Sequence, residues 1–206
     1  MSYKRALGIV VLALIISTYF YSWMPEQIAL HWNAQGQVNG YGKRISIFFI
    51  PILLAGLLLL FIVIPKIDPL KNIGKFKKYY DGLIIVLFLF LLALQIQIIM
   101  WNLGYVISPN YVLPIAIGLL FYYVGILSEN SKRNWFVGIR TPWTLSSDKV
   151  WKKTHKLAGK LFKISGVITA TGIFFPNYAV YFILVPALGV TAYTIVYSYL
   201  EYSKLS

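Results

Sequence analysis

Apolar residues fall into six long blocks separated by short polar stretches: Ala6–Trp23, Ile45–Ile64, Gly82–Met100, Tyr111–Leu127, Leu157–Phe175 and Ala179–Leu200. Each block is close to the roughly 20 residues a helix needs to cross a bilayer's hydrocarbon layer. None shows the two-residue alternation of a membrane barrel strand, so helices are expected. Tyrosine and tryptophan gather at the block ends (Trp23, Tyr79, Tyr80, Trp101, Tyr111), where interfacial anchors sit. The pattern predicts an all-α polytopic membrane protein with six transmembrane helices. The fifth block is the weakest, because Lys160 and Lys163 occupy its first turns. Snorkelling of both lysines permits a full crossing, with Pro176-Asn177 as a tight turn into the sixth block. A re-entrant pair across Phe174–Tyr178 is the alternative.

Two connecting segments have patterns of their own. In Met24–Arg44, Ile28, Leu30 and Trp32 alternate with Ala29, His31 and Asn33, followed by the turn-forming stretches NAQGQ and NGYG. A short hairpin-like loop is expected there. It serves as a cap on the bundle, or meets a peptide or lipid-like ligand through His31, Trp32 and Asn33. In the second segment Lys149, Lys152, Lys153, Lys156, Lys160 and Lys163 share one arc of about 100° on a helical wheel. Val150, Thr154, Leu157, Ala158 and Leu161 take the opposite side, and Trp151, His155 and Phe162 share a flank. This predicts an amphipathic helix that lies on, then enters, a leaflet, with Ser146 and Ser147 as caps and Asp148 in its first turn.

Composition supports the membrane reading. Of 206 residues, 59% are hydrophobic and only 12% charged, with mean hydropathy +0.71. A soluble domain could not cover that much apolar surface. The absence of cysteine excludes disulfides, thiolate metal sites and cysteine nucleophiles. The first block follows Lys4 and Arg5 as a signal peptide would, but it is long and no small-residue cleavage site follows, so a retained span is expected.

The basic residues orient the bundle. With both termini in the cytoplasm, the outer loops hold only Lys43 and Arg44 of the 19 lysines and arginines. The remainder falls in the tails, in Lys66–Asp81 and in Ser128–Lys163, as the positive-inside rule requires. The net charge of +13 then reflects topology and attraction to anionic membrane lipids, not nucleic acid. Pro65 and Pro69 mark a joint between a two-span N-terminal module, residues 1–65, and a four-span module, residues 75–206.

The polar chemistry concentrates at GIRTPWT, residues 138–144. Gly138 permits unusual backbone angles and Pro142 fixes one, placing Arg140 on a defined turn between Trp135 and Trp143. Its planar guanidinium suits phosphate, carboxylate or backbone carbonyls, and the tryptophans could seat the turn or stack on it. A structural clamp and a ligand contact are both open. His155 has no second histidine on its side for a metal, since His31 lies on the other, and the six acids are scattered. Neither a metal, a cofactor nor a catalytic set is indicated, so a non-enzymatic protein is expected. Gln95 and Gln97 are the main polar residues within the spans, and one of them is expected to bond a neighbouring helix. Gly118, Gly125, Gly166 and Ala170 read as close-packing positions.

The run NWFVGIRTPWTLSSDKVWKKTHKLAG, residues 134–159, resembles the signature of the SdpI immunity family of small multispanning membrane proteins. Asn134, Gly138, Arg140, Thr141, Pro142, Trp143, Trp151, Thr154 and His155 carry the match, which covers roughly residues 75–206. MPEQIALHWNAQGQVNG, with Pro25, His31, Trp32, Asn33 and Gly36, is similar to a module of unknown function that often precedes it. The resemblance implies an immunity or sensor protein of the cell membrane that protects against a membrane-acting toxin peptide and, in some members, signals to a cytoplasmic regulator. A small transporter or lipid-handling protein is the alternative, disfavoured by the scarcity of intramembrane charge. An intramembrane hydrolase would need His155 or His31 beside a nucleophile.

Overall fold

The structure, a computed structural model, describes residues 2–205. In chain order the elements are α1 (Ser2–Phe20), β1 (Gln27–Trp32), β2 (Val38–Lys43), α2 (Phe49–Ile67), α3 (Lys77–Asn102), α4 (Pro109–Asn130), α5 (Pro142–Ser146), α6 (Asp148–Thr171) and α7 (Ala179–Ser203). Among the described residues six helices are long and apolar enough to cross a membrane, α5 being the short exception. Each predicted apolar block lies within one of the six helices and its flanking 3-10 turn, except that Phe175 falls one residue beyond the turn after α6. The protein is a multi-pass membrane protein with a small two-stranded sheet.

Two packing regimes hold the bundle. On one side, Ala6, Val10 and Ala13 of α1 meet Leu54, Leu58 and Phe61 of α2 and Tyr80, Ile84 and Phe88 of α3. Here the Tyr80 hydroxyl donates to the Phe61 carbonyl at 2.9 Å, satisfying a buried polar group. On the other side, α4 and α6 approach until their backbones touch. A Cβ built on Gly118 would lie 2.7 Å from the Gly166 carbonyl oxygen, and one on Gly125 2.6 Å from that of Gly159. Small residues at such a seam are how helices associate in lipid, where apolar side chains gain little by leaving the tails. Gln95, fully buried on α3, donates through Nε2 to Ala13 O (2.8 Å) and Ser17 Oγ (2.7 Å) of α1. Gln97 also finds a partner, the Ile107 carbonyl at 3.3 Å.

One end of the bundle carries the hairpin. β1 and β2 pair antiparallel, Gln27 with Lys43 through Trp32 with Val38, with irregularities between Ala29 and Trp32. The expected alternation is broken there. Ile28 and Ala29 are both buried, because Asn102 at the end of α3 clamps Ala29 like a neighbouring strand. Asn102 Oδ1 accepts from Ala29 N at 2.8 Å and Nδ2 donates to Ala29 O at 3.1 Å. At the loop tip Asn33 Oδ1 accepts from Gln35 N and Gln37 N. Gly36, at φ +76°, lies so close to Ser108 that a side chain would collide with it. His31 Nδ1 sits 2.5 Å from Asn39 Oδ1, and Trp32 packs edge-on against Trp101. The residues expected as ligand contacts, His31 and Asn33, are thus engaged within the hairpin itself.

The fifth long helix runs the length of the bundle. Asn110, at the start of α4, donates to Ala34 O of the hairpin loop (3.0 Å) and to Pro176 O beyond α6 (2.8 Å), so α6 reaches the hairpin end. The lysine-rich stretch leads directly into the bundle, as the stripe suggests. It is the first half of α6, continuous with the fifth span.

Candidate functional site

At the other end, residues 131–147 fold over the starts of α6 and α3 and the end of α7. Asn134, fully buried, is the first fixed point. Its Oδ1 accepts from Phe136 N (2.9 Å) and Val137 N (2.7 Å), while Nδ2 donates to Lys132 O (2.8 Å) and Val137 O (2.9 Å). All four hydrogen-bonding capacities of the amide thus serve the loop. Gly138 follows at φ +117°, a conformation that L side chains rarely adopt. A Cβ there would also lie 2.5 Å from His155 Nε2.

His155 is the second fixed point. Its Nε2 accepts the Ile139 N–H at 2.9 Å, and its Nδ1 lies 2.9 Å from the Trp151 carbonyl one turn earlier. That pairing assigns the neutral tautomer with the proton on Nδ1. The ring stacks on Trp151 at 3.9 Å, and Trp151 Nε1 donates to Ser131 O at 3.3 Å. Trp151 and His155 therefore grip both arms of the loop. Thr154, between them, is fully buried, with Oγ1 lacking a hydrogen-bond partner among the described residues.

The rest of the motif forms a cap. Thr141 and Thr144 exchange hydrogen bonds as a capping box at the start of α5, whose first residue is Pro142. Thr144 Oγ1 donates to Ile139 O (2.7 Å), and Thr141 Oγ1 lies 3.0 Å from Ser198 Oγ on α7. Arg140 is exposed and donates through Nη1 to Trp135 O at 2.7 Å, closing the turn. Its guanidinium does not stack on a tryptophan: Trp143 packs against Tyr199 of α7 instead, at 5.1 Å. Ser147, not Ser146, caps α6 by accepting from Val150 N.

Several residues that complete the site carry no pattern in the sequence. Asp68, 1% exposed in the α2–α3 joint, accepts from Trp135 N (3.2 Å) and Asn72 N (3.0 Å). Asn72 Nδ2 in turn donates to Arg133 O at 2.8 Å. Arg133 donates to Leu145 O through Nη1, while its Nε sits 3.0 Å from Asp148 Oδ1, close enough for an ion pair but poorly angled for a hydrogen bond. Lys153 pairs with Glu201 of α7 and Lys163 with Glu129 of α4, so two lysines of the stripe bind neighbouring helices. Glu201 likewise holds Lys204, raising its pKa above the ordinary lysine value. Between loop and helices lies a polar cavity of about 370 Å³ whose walls include Lys75, Lys132, Arg133, Lys152 and His155.

Taken together, six crossings, a structured hairpin at one end and a hydrogen-bonded basic loop at the other define a small helical membrane protein with a built signature loop. Residues 130–198 match the SdpI/YfhL protein family, and residues 8–55 match a Domain of unknown function (DUF1648). Over 199 residues the chain is 27% identical to the Immunity protein SdpI of Bacillus subtilis (strain 168), covering 96% of this chain and 94% of that relative. No solved structure matches.

Proposed function

We propose that the protein is a non-enzymatic immunity protein of the cell membrane, protecting the cell that carries it against a membrane-acting toxin peptide. The carrying observation is that the signature side chains are consumed in holding residues 131–147. Asn134, Thr141, Thr144, Trp151 and His155 all bond backbone or one another, leaving no nucleophile–base pair among them. Similarity to an immunity protein along nearly the whole chain supports the same reading. The basic loop faces the cytoplasm in this reading, with both termini, because Lys and Arg crowd that end. There it meets anionic lipid headgroups and relays occupancy to a cytoplasmic regulator. The hairpin and the outer half of the bundle meet the toxin.

The test is expression in a host sensitive to a membrane-active peptide, with Arg140→Ala and His155→Ala variants alongside. Survival conferred by the unaltered chain and reduced by His155→Ala is expected. Unchanged sensitivity at good membrane expression would overturn the reading.

A further inference from the structure

Of the six carboxylates in the chain, only Glu26, just before β1, stands at the hairpin end. The others are all engaged. Asp68 accepts from Trp135 N and Asn72 N. Asp81 pairs with Lys77, Asp148 with Arg133, and Glu201 with both Lys153 and Lys204. Glu129 meets Lys163 through both oxygens, at 2.8 and 2.9 Å. Lys75, Lys132 and Lys152 therefore have no carboxylate within ion-pair reach among the described residues.

Those three lysines line one cavity, the space of about 370 Å³ between the loop and the helices. They come to it from three segments: the turn before α3, the loop itself and the second turn of α6. The other charged wall residues cancel. Glu129 is matched by Lys163 and Arg133 by Asp148, while His155 is neutral with both ring nitrogens engaged. Three positive charges are left around one space without a counterion, and a cleft lined by one sign of charge concentrates the opposite one from outside.

Size and depth narrow the choice of anion. The volume is at the low end of the roughly 300–1,000 Å³ of ligand sites, enough for a phosphate with a glyceryl group and too little for a protein segment. Glu129 follows the apolar run of α4 that ends at Leu127, and Lys163 precedes the apolar run of α6 that starts at Ile164. Their ion pair marks the edge of the hydrocarbon, and Glu129 lines the cavity, which therefore lies at the level of the bilayer headgroups. We propose that this cavity binds one phosphate group, held by Lys75, Lys132 and Lys152. A lipid headgroup and a free phosphate ion share that chemistry. The headgroup source rests on the immunity reading, in which this loop meets anionic lipid; the charge balance of the cavity stands apart from it.

The full chain in dodecyl maltoside micelles would be acetylated with a limiting N-hydroxysuccinimide ester, each lysine being followed by mass spectrometry. Phosphatidylglycerol, phosphatidylcholine and inorganic phosphate are added in separate arms. A phosphate among the lysines keeps them charged and unreactive, so Lys75, Lys132 and Lys152 should slow together, by about tenfold. Lys149 and Lys156, exposed on the same helix but outside the cavity, should keep their rates. Slowing by phosphatidylglycerol alone assigns a headgroup as the source, and slowing by inorganic phosphate assigns a free ion; either upholds the site. Lys132→Gln, at an exposed side chain with no ion pair, should release Lys75 and Lys152, whereas Lys149→Gln should not. Equal slowing of all these lysines, slowing by phosphatidylcholine to the same extent, or none in any arm overturns the proposal. Selective slowing in a chain that leaves the sensitive host unprotected upholds the site and overturns the immunity reading instead.

Discussion

Ile139 gives its backbone N–H to Nε2 of His155, 2.9 Å away and sixteen residues later in the chain. The bond fastens the apex of the signature loop to α6. Because Nδ1 of the same ring faces the Trp151 carbonyl, the imidazole can serve both partners only while neutral. A protonated ring has two donors and no acceptor, so it would push the Ile139 N–H away. This geometry also explains why a glycine precedes Ile139: the chain passes over the ring with no room for a side chain.

Gly138→Ala should therefore be the most damaging alanine substitution in the loop. The positive φ alone costs about 1–2 kcal/mol, and the added methyl would press on His155 Nε2. A thermal melt of the purified protein in detergent should fall by several degrees. Gly74→Ala is the control, since a Cβ there meets nothing within 4 Å and should leave the melt unchanged.

Asp68 predicts a coupling between the α2–α3 joint and the loop. Asp68→Asn keeps one carboxyl-type oxygen but replaces the other with a donor, so either Trp135 N or Asn72 N loses its acceptor. The expected cost is about 1–3 kcal/mol, localised to the loop. Limited proteolysis should cut between residues 131 and 147 faster in Asp68→Asn and faster still in Asp68→Ala, with the helices left intact. Equal cleavage rates would mean the Asp68 contacts do not hold the loop.

The contrast between what pattern reveals and what it hides is clear at this end of the molecule. The six crossings are legible because the bilayer imposes a length and a polarity on each. The turn at Gly138 and Pro142 is legible because both residues restrict or release the backbone locally. Asp68 is not, since its donor Trp135 lies 67 residues away and no short-range periodicity connects them. The entry of the lysine-rich helix into the fifth span is legible, because one helical period runs through its basic and apolar halves. The partner of Trp143 was hidden too, because Tyr199 sits on α7, a helix whose rotation the sequence does not specify.

The α4–α6 seam gives a prediction about assembly within the membrane. Gly118→Leu and Gly125→Leu would each force the helices apart where a Cβ alone already lies within 2.7 Å of the opposite backbone. Loss of folded protein after detergent extraction is expected for both. Gly56→Leu, on α2 with nothing within 4 Å of a built Cβ, should extract normally. Retention of fold in the seam variants would show that the Lys163–Glu129 pair and flanking contacts suffice without the glycine approach.

The direction in which the bundle sits can be read with single cysteines, because the chain contains none of its own. Gln35, at the exposed tip of the hairpin, and Ser146, exposed at the end of α5, lie at opposite ends of the bundle. With basic residues concentrated at the Ser146 end, the positive-inside rule requires that end to face the cytoplasm. An impermeant maleimide should then label Gln35→Cys in intact cells and Ser146→Cys only after permeabilisation. Both positions are solvent-facing and away from the packed seam, so neither substitution should alter folding. The reverse labelling pattern would put the lysines of α6 on the outer face. That outcome would remove the basis for an inner-leaflet loop and for any relay to a cytoplasmic regulator, while leaving the fold itself untouched.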